Sequence, residues 1–294
     1  MTSPLIIDTN EDGVAFARLA DLNELERSQL ALDRKVDRLR AHLRELGSLV
    51  VGFSAGVDST FLLRVAHDEL GERCVGLTAV SPSLPERERA EAVRIAGAIG
   101  VRHELRESDE IHNPNYRANP TTRCFYCKMA LFDITESIKA EYGIEHVAIG
   151  TNLDDLKGHR PGYAAAQQRG VVHPLVEAGF TKAEVREASR QLGLDVWNKA
   201  EFACLSSRFP YGTEITEARL AQVESCEDVL SALGFHVFRV RYHDELVRIE
   251  IGEDELERAF DAGIRPQIVT RCKAAGFKYV SVDLQGYRRG SMNE

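Results

Sequence analysis

Three thiols and one small-residue loop carry the chemistry-bearing residue types of this chain. Cys124 and Cys127 form a Cys-x-x-Cys pair in TTRCFYCKMALF, and Cys204 stands apart in NKAEFACLSSRFPYG. Three cysteines are one short of a closed tetrahedral zinc site, and no finger-spaced histidine pair accompanies them. A thioredoxin-type pair follows a strand near the start of its fold, whereas this one opens a predicted helix. Two readings stay open: three thiolates holding a four-iron cluster with one iron free, or Cys204 as a nucleophile beside a structural pair. Cys74, Cys226 and Cys272 sit in apolar or helical contexts and are expected in the core. The loop is SAGVDS, Ser54 to Ser59, directly behind the apolar run LVVGF. Hydroxyls and a close-approach glycine suit phosphate, yet the Gly-Lys-Ser/Thr ending of a Walker A loop is missing.

These residues need a scaffold, and the pattern around them supplies one. Leu32, Val36, Leu39, Leu43 and Leu46 recur in steps of four and three, the stripe of an amphipathic helix. Short β-rich runs without polar alternation (SLVVGF, CVGLTAV, VRHELR, HVAIG) then alternate with helical segments, among them one opened by Pro85 and one capped by Thr181. Such alternation predicts an α/β fold with a doubly wound parallel sheet over residues 1–205, its first 47 residues a helical lead-in. From residue 206 a helix, two neighbouring strands, further helical turns and a last strand, KYVSVDL, predict a smaller α+β domain reaching residue 294.

Composition narrows the function classes. The 294 residues carry 37 Lys and Arg against 46 Asp and Glu, a net charge of −9. That balance argues against a partner bound mainly through nucleic-acid phosphates. No apolar run reaches the ~18–20 residues of a membrane span, and the acidic start lacks the layout of a signal peptide. A cytoplasmic protein is expected.

In a doubly wound sheet, ligands lie beyond the carboxyl ends of the strands, where helix N-termini favour anions. SAGVDS occupies that place and resembles the PP-loop signature, Ser-Gly-Gly-x-Asp-Ser, of the ATP pyrophosphatases, which split ATP between the α- and β-phosphates. Ser54 and Ser59 supply hydroxyls, Gly56 a close approach, and the amides of Val57 and Asp58 face the phosphates. Ala55 replaces the first glycine of the signature, and its Cβ disfavours left-handed geometry. Thr78 and Ala79, ending the second strand, lie where such folds hold the adenosine. Gly150, Asn152 and Asp155 in GTNLDD face the same crevice, and Arg160 in HRPGY offers a cation. Magnesium bridging the ATP phosphates is expected, held by Asp58 and substrate oxygens.

FSAGVDST, RPGY, VWNKAEFACLSSRFPYGTEIT, FRVRYHDELVRIEI and GFKYVSVDLQGYRRGSMN together resemble the LarE family, from about residue 30 to the C-terminus. The resemblance implies an ATP-dependent sulfurtransferase of nickel-pincer nucleotide biosynthesis. Such an enzyme adenylylates a carboxylate of pyridinium-3,5-biscarboxylic acid mononucleotide and converts it to a thiocarboxylate. Cys204 matches the sulfur donor of the one-cysteine form. Its accompaniment by Cys124 and Cys127 is similar to the three-cysteine subgroup, in which a [4Fe-4S] cluster carries the sulfur. Arg239 and Arg241, alternating on one strand face, match arginines around the substrate or a bound anion, with Glu227 near them, and Arg208 is a further phosphate contact. The resemblance also implies a homo-hexamer. A PP-loop tRNA thiolase is the runner-up, as is the same reaction with Cys204 as a sacrificial donor.

Overall fold

The computed structural model describes residues 23–157, 161–200 and 203–288, together with two short strands near the N-terminus. Those strands, β1 (Ile7–Thr9) and β2 (Ala15–Ala17), pair antiparallel and were not expected from the sequence. Helix α1 (Glu24–Leu46) begins at Asn23, whose side chain forms a capping box with Glu26, and it buries Leu32, Leu39 and Leu43.

A parallel sheet follows. Its strands are β3 (Leu49–Gly52), β4 (Cys74–Val80), β5 (Arg102–Glu107) and β6 (His146–Ile149), in the order β5-β4-β3-β6. Helices α2 (Val57–Leu70) and α3 (Glu86–Ile99) connect the first three strands. The short α4 (Pro114–Arg117) and the long α5 (Arg123–Tyr142) lead back to β6 on the other side of β3. Three helices come next: α6 (Pro161–Gln168), α7 (Pro174–Glu177) and α8 (Lys182–Gln191). The strands are covered on both faces. Leu49 and Val51 join one core with α1, α2 and α8, while Val50 joins the opposite core with Phe132 and Ile138 of α5. The strand order reverses between β3 and β6, and that switch point is where such sheets hold ligands.

The C-terminal unit consists of α9 (Glu217–Ala232), β7 (Phe238–His243), β8 (Leu246–Ile251), α10 (Arg265–Ala274) and β9 (Tyr279–Val282). β7 pairs antiparallel with β8, and β8 parallel with β9. The stretch EDELERAF folds as a 3-10 helix, Glu253–Phe260. Its core reaches across the boundary drawn from sequence, because Ile111, Tyr116 and Leu205 pack with Phe209, Val240 and Ile249. Cys74, Cys226 and Cys272 are all fully buried. Cys226 and Cys272 face each other from α9 and α10, and a thiol–thiol hydrogen bond raises Cys226 and lowers Cys272. Among the described residues no helix is long and apolar enough to cross a membrane.

Candidate functional site

One cavity of about 1120 Å³ lies at the switch point. One end of it is built by the turn from β3 into α2. Gly56 is the N-cap of α2 with no side-chain capping bond, so the first-turn amides keep their donors for a ligand. Ser54 and Ser59 meet Oγ to Oγ at 3.1 Å, and Ser59 Oγ also takes the Ser54 amide at 3.2 Å, which closes the loop on itself. Ala55 adopts φ 54, the left-handed conformation that the signature's glycine adopts freely, and its methyl is buried in the core. Val57 is likewise a core residue and offers only its amide.

Gly150 brings β6 against this loop. A Cβ on it would lie 2.7 Å from the Ser59 nitrogen and 2.8 Å from the Asp58 carbonyl carbon, so only glycine permits the approach. Beyond it, buried Asn152 caps the following turn, accepting from the amides of Asp154 at 2.9 Å and Asp155 at 3.3 Å. Asn152 Nδ2 also donates to Asp58 Oδ1 at 3.0 Å, and Lys182 Nζ pairs with Asp58 Oδ2. Asp58 is thus engaged by two donors while its side chain stays on the cavity lining. Asp155, which accepts from the Asn152 amide at 3.2 Å, lines the cavity as well. Thr78 and Ala79 line it too, but the Thr78 hydroxyl is already used, donating to the Phe53 carbonyl at 2.7 Å and meeting His103 Nε2 at 2.9 Å. Arg160 lies outside the described residues.

The same cavity carries the thiols. Cys124 and Cys127 lie one turn apart at the start of α5, and together with Cys204 they line the same cavity as Ser54, Asp58 and Ser59. Burial pushes the Cys127 thiol up to about 12, reinforced by the charges of Glu110 and Cys204 and opposed by Lys128. Burial and Cys204 raise the Cys124 thiol, while Arg123 and Lys128 oppose the rise. Among the described residues no three His, Cys, Asp or Glu side chains come close enough to hold a single metal ion.

Cys204 is held from several sides. The Leu205 amide donates to the Ser83 carbonyl at 2.9 Å, and Arg208 Nη1 donates to the Ala203 and Cys204 carbonyls at 2.7 and 3.3 Å. Arg208 is fully buried against Glu227, with Nε 2.7 Å from Oε1, and Arg87 Nη2 reaches Glu227 Oε2 at 2.6 Å. Arg241 pairs with buried Glu250 at 2.8 Å, and Arg239 lies 5.0 Å over the ring of Tyr287. Arg208, Glu227, Arg239 and Arg241 are therefore neighbours, and none of them is among the residues that line the cavity. Two buried carboxylates hold two of these guanidinium groups, Glu227 that of Arg208 and Glu250 that of Arg241.

Sequence reasoning missed several residues. Lys182 has one local signal, its place just after the Thr181 N-cap. Lys128 directly follows Cys127 on the cavity wall. Glu110 had no signal. It is buried on the cavity wall and is held by the Ser108 hydroxyl and, at 3.3 Å, the Ser83 hydroxyl. Tyr211 had only the distinctiveness of its segment. It sits at the second position of the turn Pro210–Thr213, with Gly212 at φ 82 and the Thr213 amide bonded to the Pro210 carbonyl at 3.0 Å.

No family model matches the chain. It is 42% identical over 262 residues, 89% of its length and 98% of the relative's, to the uncharacterized protein slr1717 of Synechocystis sp.. It is 28% identical over 259 residues, 87% of its length and 98% of the relative's, to the uncharacterized protein MJ0830 of Methanocaldococcus jannaschii. The pyridinium-3,5-bisthiocarboxylic acid mononucleotide synthase of Lactiplantibacillus plantarum shares 34% identity over 266 residues, 90% of this chain and 95% of that one. At that identity, carried along nearly the full length of both chains, this protein belongs to the LarE family.

Proposed function

We propose that the chain is an ATP-dependent sulfurtransferase acting on a pyridinium mononucleotide dicarboxylate. A substrate carboxylate oxygen attacks the α-phosphorus of ATP and displaces pyrophosphate, leaving an acyl adenylate. A sulfur nucleophile then attacks the acyl carbon and AMP departs, which converts the carboxylate into a thiocarboxylate. The observation that carries this reading is a shared wall: the phosphate loop and all three thiols line one cavity. Activation and sulfur delivery then need no transfer between sites.

The chain's own groups divide the work. Ser54, Ser59 and the first-turn amides of α2 receive the phosphates. Lys182, tethered to Asp58, adds positive charge at the loop. Asp58 and Asp155, both on the cavity lining, are the carboxylates that would hold magnesium. Tyr211, 49% exposed at the wall, offers a ring face to the cationic pyridinium. Cys124, Cys127 and Cys204, lining one cavity, are the residues that would hold a [4Fe-4S] cluster, each thiolate on a separate iron. That cluster, when bound, supplies an open iron at which inorganic sulfide is carried.

Three measurements test the proposal. Pyrophosphate release must depend on the pyridinium acid; ATP left intact in its presence overturns the reading. Anaerobic protein should absorb near about 400 nm through thiolate–iron charge transfer. The mass of the chain after one turnover decides between donors: unchanged mass means a replenished sulfur, and loss of hydrogen sulfide at Cys204 means the sacrificial route. A tRNA thiolase would instead show salt-sensitive tRNA binding, which the net charge of −9 disfavours. The homo-hexamer is tested by sedimentation of the purified chain.

A further inference from the structure

Lys199 is where the phosphate loop meets the segment that carries Cys204. Its Nζ donates to the Ala55 carbonyl at 3.3 Å and to Glu88 Oε2 at 2.8 Å. The Ala55 carbonyl takes its direction from the left-handed φ 54 of that residue, a conformation costing an L-residue about 1–2 kcal/mol. The backbone around Lys199 is also grasped from α8, where Arg186 donates to the Trp197 carbonyl at 2.7 Å and the Lys199 carbonyl at 2.9 Å. Arg186 stands one helical turn beyond Lys182, on the same face, and Lys182 pairs with Asp58 of the loop. On the far side of Cys204, the Leu205 amide is tied to the Ser83 carbonyl at 2.9 Å, behind the adenosine strand. The tethers on both sides of Cys204 thus include bonds to the parts that build the nucleotide end of the cavity.

We propose that Lys199 is a positioning residue that makes sulfur delivery at the Cys204 wall depend on the state of the phosphate loop. This rests on the ATP-dependent reading given above. Phosphates settling on the α2 amides move the turn that contains Ala55. Lys199, fixed to Glu88 at its other contact, passes that movement to the chain leading into Cys204. With the link cut, the acyl adenylate still forms, because no Lys199 atom is needed for it. The thiol wall is then out of register, and water takes the acyl group, regenerating the carboxylic acid and AMP.

The test is single-turnover kinetics of the anaerobic holoenzyme with ATP and the pyridinium biscarboxylic mononucleotide, counting pyrophosphate released per thiocarboxylate formed. The wild type should give a ratio near one. Lys199→Gln should release pyrophosphate at nearly the wild-type rate while the ratio rises about tenfold or more, the scale of one lost hydrogen bond to a charged group. Lys199→Arg, which keeps the cation, should restore part of the coupling. If Lys199→Gln does not fold, Lys199→Gln/Glu88→Gln removes the carboxylate left without its cation and carries the same measurement. An unchanged ratio overturns the inference, and so does a parallel fall in both products, which would mean lost nucleotide binding. A wild type that releases no pyrophosphate overturns the ATP-dependent reading itself, a different result.

Discussion

Arg208 and Glu227 meet with Nε 2.7 Å from Oε1, and neither side chain reaches solvent. Two arginines hold Glu227 below its ordinary value of 4.5 against the upward push of burial, with Arg208 the stronger and Arg87 the weaker. The same guanidinium spans the Ala203 and Cys204 carbonyls, so one buried ion pair supports the backbone of the sulfur-bearing segment. Arg208→Met removes one partner from a buried pair and should cost about 3–5 kcal/mol in urea unfolding. Arg208→Met/Glu227→Gln should recover part of that loss. Equal stability of the single variant and the wild type would show that the pair contributes nothing.

At Ala55 two terms oppose each other. Glycine would relieve a left-handed strain of about 1–2 kcal/mol. It would also lose a buried methyl worth about 0.8 kcal/mol and stiffness in the unfolded chain worth about 0.5–1 kcal/mol. Ala55→Gly should therefore stay within about 1 kcal/mol of the parent. Ala55→Val, β-branched at positive φ in a fully buried site, should cost about 2 kcal/mol or more. Denaturant titration of the two variants separates strain from packing.

The approach of Gly150 to the loop admits no side chain. In Gly150→Ala the methyl would stand 2.7 Å from the Ser59 nitrogen, and backbone rather than a flexible side-chain end must move. The expected result is a loss of about 1–3 kcal/mol in stability together with a raised KM for ATP, read from pyrophosphate release at graded nucleotide. An unaltered KM would mean the loop tolerates displacement.

Acid should weaken the fold through its buried and half-buried histidines, His103 and His173 among them. Burial holds His103 and His173 below their ordinary value of 6.5, against the smaller opposing charges of Glu104 and Glu177 respectively. The unfolded chain therefore takes up protons first as pH falls below about 6.5, and stability present above that value is lost. Among the described residues neither ring nitrogen of His173 has a hydrogen-bond partner, and its ring packs on Tyr163 at 4.8 Å. Thermal unfolding should shift down by a few degrees between about pH 7 and about pH 5.5. His173→Phe, which keeps the stack without a titrating ring, should shift less.

The fold was largely legible because its signals are local. β4 runs over Cys74–Val80, the residues of the predicted run CVGLTAV, and the Thr181 cap stands where it was expected. The short α4 and α7, each of four residues, gave no period to detect. In the site, the loop and the thiols were visible as residue types at fixed spacing. What pairs with them was not: Asp58 meets a lysine 124 positions away, and Lys199 reaches a carbonyl 144 positions away. Arg208 shows the converse limit. Its residue type suggested a ligand contact, and only the burial of Glu227 beside it turns it inward.

The second core includes Ile111 and Tyr116, contributed from far upstream of the C-terminal unit. That unit is consequently not portable. Severing the chain near residue 206 would strip a tyrosine and an isoleucine from its interior, so neither half carries a complete core of its own.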